Sequence, residues 1–137
     1  MSNIQAALCL AQVKRIKELI AKRRKIFKWY SFYLKKFDNI QLNEEVYPAK
    51  SIYWMTSIFI KDSKKRVKAE YLSKKLKEKF IDTRPVFPSI STYPMWKSKN
   101  NFFSKELSKY SLNLPSGHNL KRRDVKYICE KIVEVLK

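Results

Sequence analysis

Near the start of the chain, Leu10, Val13, Ile16, Ile20, Phe27, Tyr30, Leu34 and Phe37 stand three, four or seven positions apart. Only a helix brings such positions onto one face, so the spacing predicts a single long helix reaching about as far as Phe37. Ser2 followed three residues later by Gln5 has the capping-box pattern, which sets the helix start almost at the first residue. Ile4, Leu8 and Ala11 add a second apolar edge to the first turns alone. A helix with broader apolar surface at one end is expected to pack those turns on something beyond the rest of its own fold.

Asp38-Asn39 interrupts the stripe, Ile40 and Leu42 begin a short strand, and 43–50 with Pro48 reads as a loop. The run 51–60 is rich in β-branched and aromatic residues with apolar side chains on both faces, as in a strand covered on one side and partly on the other. Asp62 or Ser63 is placed to cap a second helix, with Val67, Tyr71, Leu72, Leu76 and Phe80 as its buried face. Residues 83–87 form a second strand candidate ended by Pro88, 88–101 an ordered loop, and 104–110 a short helix. Leu112 to Pro115 is a brief extended piece before a turn at Ser116-Gly117, and Val125, Ile128, Cys129, Ile132 and Leu136 mark one face of a last helix. This order predicts an α+β layer fold: a small antiparallel or mixed sheet packed against helices, led by one long N-terminal helix. The 137 residues suit a single domain spanning 1–137.

Composition narrows the functions open to such a domain. Hydrophobic residues are 45% of the chain, too many for a disordered tail, and no run approaches the length of a membrane span. The first residues open directly into the amphipathic pattern without the signature of a secretory leader, which makes a cytoplasmic location the expectation. Cys9 and Cys129 each fall within the apolar pattern of a helix, as buried reduced thiols do. His118 is the only histidine, so no metal site is expected. A formal net charge of +19 favours phosphate polymers or an anionic surface, but the 31 lysines and arginines are spread through nearly every segment. Runs such as Lys22-Arg23-Arg24-Lys25 read equally as solvated helix faces.

The segments Ser2 to Leu8, Leu10-Ala11-Gln12, Arg15-Ile16, Arg23-Arg24, Tyr30 and Leu34 resemble the start of the small domain of the DegT/DnrJ/StrS sugar aminotransferases. Further blocks follow in order: Ser51 to Trp54, Ile81-Asp82-Thr83-Arg84-Pro85, Pro88 to Ser91 with Tyr93-Pro94-Met95, and Leu112 to Gly117 before the last helix. The resemblance implies a C-terminal small domain of a fold-type-I enzyme. Such enzymes use pyridoxal phosphate, usually as homodimers, to move an amino group from glutamate or glutamine onto a keto-sugar nucleotide. It also implies that the large domain, with its Schiff-base lysine and the cofactor's other partners, is absent. The chain starts within the motif joining the two domains, so Met1 would be an internal methionine of a full-length relative. Alone, the chain is then expected to bind no cofactor and to be catalytically silent. It would need a large-domain partner or a full-length subunit.

No catalytic residue is assigned. By resemblance Asn3 lies near the family's cofactor and subunit interface, though an asparagine in a first helical turn also serves as a cap. Arg84, at a strand end before Pro85, has the planar fork that holds a carboxylate or phosphate of the substrate, with structural ion pairing as the alternative. Ser91 and Tyr93 are placed on the sugar side of the same cleft, although the histidine that many relatives carry near Ser91 is lacking. Trp29 and Trp54 are expected in the core and Trp96 on a contact surface. Cys9 and Phe80 stand where relatives usually have glycine, and Lys121-Arg122-Arg123 sets positive charge against the last helix's macrodipole. A non-enzymatic basic module binding nucleic acid or an acidic glycolipid surface, and a dimerisation subunit of a complete aminotransferase, remain as alternatives.

Overall fold

The structure is a computed structural model that describes residues 1–61, 67–96 and 101–136. Two helices open it, α1 (Asn3–Lys14) and α2 (Ile16–Leu34). Ser2 caps α1 through the predicted box: the Gln5 N–H donates to Ser2 Oγ at 3.3 Å and the Ser2 N–H to Gln5 Oε1 at 2.8 Å. The single long helix is corrected to two, because Arg15 leaves helical geometry at φ −105° and ψ 8°. Neither glycine nor proline marks that break, so periodicity runs through it unchanged.

Among the described residues four strands follow, β1 (Ile40–Leu42), β2 (Thr56–Ile60), β3 (Arg84–Pro85) and β4 (Ser111–Leu114), in the spatial order β1-β2-β4-β3 and antiparallel throughout. Three helices complete the fold: α3 (Ala69–Lys77), α4 (Phe102–Tyr110) and α5 (Arg122–Leu136). The pairs Ile40↔Ile60, Leu42↔Ile58 and Ile58↔Leu112 put the aliphatic positions of β1, β2 and β4 on one face. That face, with Ile26, Phe27, Tyr30 and Leu34 of α2, Leu72 and Leu76 of α3, and Val125, Ile128 and Ile132 of α5, forms one contiguous core.

The expected strand over 51–60 is shortened to 56–60, since Tyr53 takes a positive φ of 49° and turns its ring onto Phe27, centroids 3.6 Å apart. Trp54 is thereby left exposed rather than in the core, while Trp29 packs half-buried against it. The brief extended piece at Leu112–Pro115 becomes the central strand β4, all four of its residues buried. The proposed caps at Asp62 and Ser63 lie outside the described residues. Tyr71 and Phe80 fall off the buried face assigned to α3. Phe80 instead closes the helix at φ 59°, its N–H bonded to the Lys77 carbonyl and the Ile81 N–H to that of Leu76, a left-handed terminus that favours glycine.

Candidate functional site

A cleft of about 1000 Å³ opens where the C-terminal ends of α3 and β4 meet the start of α5. Its walls include three guanidinium groups, Arg23, Arg84 and Arg123, and three exposed rings, Trp54, Phe80 and Tyr127.

The segment after α3 delivers Arg84. Ile81 and Thr83 are buried while Asp82 and Arg84 point outward, the alternation of an extended chain over a core. Thr83 is anchored by its hydroxyl 2.9 Å from that of Ser73, and Arg84 pairs across the sheet with Asn113. The Asn113 amide in turn donates to the Pro85 carbonyl and its oxygen accepts from Ser57 at 2.6 Å. The backbone beneath Arg84 is thus fixed from both sides. Its side chain carries one ion pair, Nη2 to Asp82 Oδ2 at 3.0 Å, with both groups exposed. An ion pair in open solvent contributes little, so the guanidinium can turn to an incoming anion at small cost.

Arg23 closes the opposite wall, where its Nη1 is engaged by backbone. Its Nη1 donates to the carbonyls of Trp54 at 2.5 Å and Ser116 at 2.9 Å, stitching α2 to the turns on either side of the sheet. Its neighbour Arg24 grips Glu45 with two parallel hydrogen bonds of 2.6 and 3.0 Å and donates also to the Ser51 carbonyl. Hydrogen bonds from Arg24 and then from the Ser51 N–H hold the Glu45 carboxyl down at about 2. The Tyr30 hydroxyl donates to the Pro115 carbonyl at 2.8 Å, and burial raises its pKa well above the ordinary phenol value. The solvated-face reading of Lys22 to Lys25 is therefore corrected for its two arginines, which are half-buried structural clamps. What the sequence carried of this was only the Arg-Arg doublet itself; the carbonyls it meets lie 27 to 93 residues away.

The other residues assigned from the sequence lie elsewhere. Asn3 is exposed in the first turn of α1 and is not part of the cleft. Ser91 is half-buried in a short 3-10 turn, its hydroxyl 2.8 Å from Ser89, which is 2.7 Å from Ser104. Tyr93 follows that turn, partly exposed, and neither it nor Ser91 is among the residues lining the cleft. Trp96 is exposed. Cys9 is exposed, a correction to its expected burial, whereas Cys129 is buried and its thiol pushed up to about 12 by desolvation. At the head of α5 the Lys121 N–H donates to Asp124 at 2.8 Å, so an acid in the first turn offsets the basic run. Arg122 lies over the Phe32 ring at 5.3 Å.

Pyridoxal phosphate needs a lysine amine, an acid for the ring nitrogen and a phosphate cradle. Among the described residues no lysine lines the cleft, so those residues do not by themselves make a site for that cofactor, and no chemical step is assigned to them through it. Among the described residues no three potential metal ligands come together, and no helix is long and apolar enough to cross a membrane.

Helix α1 buries none of its residues and exposes Ile4, Leu8, Leu10 and Val13. GDP-perosamine synthase of Escherichia coli O157:H7 is 35% identical over 136 residues, covering 98% of this chain but 36% of the synthase. The synthase of the same name from Vibrio cholerae is 32% identical over 96% of this chain and 36% of its own length. The chain thus spans about a third of the relatives it matches. Among solved structures, Helicobacter pylori PseC, an aminotransferase involved in the biosynthesis of pseudoaminic acid, superposes with a TM-score of 0.83 at 19% identity, over 96% of this chain and 36% of that one. A DegT DnrJ EryC1 StrS aminotransferase from Brucella abortus gives 0.80 at 21% identity, over 98% and 36%. A model of the whole family matches residues 1–133, and the chain belongs to the DegT/DnrJ/EryC1/StrS aminotransferase family.

Proposed function

We propose that residues 1–137 are one domain, the small domain of a cytoplasmic, pyridoxal-phosphate-dependent aminotransferase that works as a homodimer on a sugar nucleotide. The cofactor and its lysine would be supplied by the part of the enzyme that this chain does not span. The observation that carries this reading is α1: a capped helix, apolar on several sides, that buries nothing within its own fold. A helix hydrophobic all round belongs inside a larger body.

Within that enzyme, Arg84 is assigned to hold an anionic group of the donor or of the sugar nucleotide, giving up Asp82 to do so. Asn3, in the first turn of α1, faces the cofactor side and the subunit interface. Ser91 and Tyr93 border the sugar, with Ser91 oriented through the hydroxyl chain to Ser89 and Ser104.

The test is a chimera in which residues 1–137 replace the matching third of the Escherichia coli GDP-perosamine synthase, assayed for bound cofactor by visible absorbance and for GDP-perosamine formation. Cofactor binding with amino transfer is expected, and Arg84→Ala should lower kcat/KM on the order of a hundredfold while the cofactor stays bound. A folded chimera that holds cofactor and transfers nothing sinks the reading.

A further inference from the structure

A second cavity, of about 590 Å³, lies between α3 and α4. Lys68, Lys74, Lys77 and Lys109 line it together with Glu70, over a floor that includes Pro85 and Leu112. No ion pair engages Lys68, Lys74 or Lys77 among the described residues; in this helix it is Lys75 that pairs, with Glu78 at 3.0 Å. Lys109 lies over the ring of Tyr110 at 5.1 Å.

Helix chemistry explains three of these four cations. Lys74, Lys77 and Lys109 sit in the last turns of α3 and α4, where the macrodipole favours positive charge. Lys68 is the opposite case. It occupies the N-cap of α3, makes no side-chain cap bond, and puts an ammonium at the positive end of the helix, where a small polar acceptor is preferred. Gathering unpaired like charges is unfavourable in the free chain, and a bound anion would relieve it. The nearby hydroxyls are committed, Ser73 to Thr83 and Ser108 to the Lys105 carbonyl. Recognition would then rest on ammonium charge alone, which suits the dense charge of a phosphoryl group better than a carboxylate that calls for a planar fork.

We propose that this cavity binds a phosphate-bearing ligand, either a soluble phosphate ester or a lipid headgroup, through Lys68, Lys74, Lys77 and Lys109. The proposal does not depend on the aminotransferase reading. Its test is calorimetric titration of the 137-residue chain with inorganic pyrophosphate at low salt, alongside flotation with phosphatidylcholine vesicles containing phosphatidic acid. One-site binding of pyrophosphate is expected, weakened about tenfold or more by Lys74→Glu with Lys77→Glu, both exposed positions. Lys14→Glu with Lys17→Glu, an equal change of net charge at exposed sites on α1 and α2, should change it by less than about twofold. Binding to vesicles without binding pyrophosphate assigns the lipid source, and pyrophosphate binding without vesicle binding assigns the soluble one. No binding in either arm, or equal weakening by the two double variants, overturns the proposal.

Discussion

Along the stripe from Leu10 to Phe37, Phe27, Tyr30 and Leu34 of α2 are buried, whereas Leu10 and Val13 of α1 stand exposed. The two halves have the same period and similar residues. What separates them is the surface opposite: α2 packs against α5, whereas among the described residues α1 buries none of its own positions. A repeat of apolar positions specifies which face of a helix is to be covered; the cover itself is specified somewhere else in the sequence.

The sharpest contrast between the two regions is chemical. Cys9 lies on exposed α1 and Cys129 in the core, its thiol pushed up to about 12. A maleimide at neutral pH should modify Cys9 at once and Cys129 on the order of a thousandfold more slowly, because the latter is reached only through unfolding. Similar rates, followed by mass spectrometry, would mean that α5 does not hold its place. Leu34→Ala should destabilise the chain by about 3 kcal/mol in urea unfolding. Leu8→Ala, at a position that buries nothing, should stay within about 0.5 kcal/mol. A large loss at Leu8 would show that α1 has found a partner, and dilution would then separate a second copy from an internal contact.

Phe80 sharpens the same contrast from the stabilising side. Its ring is 100% exposed and its backbone is left-handed, so the side chain contributes no burial while the backbone pays for a Cβ. Phe80→Gly is expected to raise stability by about 1 kcal/mol, measured as a higher urea midpoint with an unchanged slope. The smallest effect concerns acid. Glu45, held at about 2 against an ordinary carboxyl near 4.3, adds stability above its ordinary value and loses it as pH falls through about 2. The Tm deficit of Glu45→Gln should accordingly be present near neutrality and vanish near pH 2.

Most elements were legible because their signals are local. The box at Ser2 and Gln5, the short strand at Ile40 and the buried face of α5 each depend on residues within a few positions. The misreadings share a different cause. The run 51–55 has the composition of a strand, yet the stack of Tyr53 on Phe27 and the clamp of Arg24 on Glu45 and Ser51 pull it out of the sheet. Those contacts join residues that no spacing rule connects. The cleft shows the same division: Arg84 stands out in the sequence by its place before Pro85 and by the family resemblance, while Arg23, Trp54 and Tyr127 reach the cleft from three separate elements.

The last strand in the chain is the one that joins the others. β1 and β2 are neighbours in both chain and sheet, and β3 comes later in the chain, but β3 is joined to them only through residues 111–114 of β4. A nascent chain must therefore carry the inner edge of β2 open through some fifty further residues of synthesis, the separation between Ser57 and Asn113 being 56. A product halted anywhere between Pro85 and Ser111 would keep that edge as a template for association with its own copies, which makes completion of translation itself a condition for solubility.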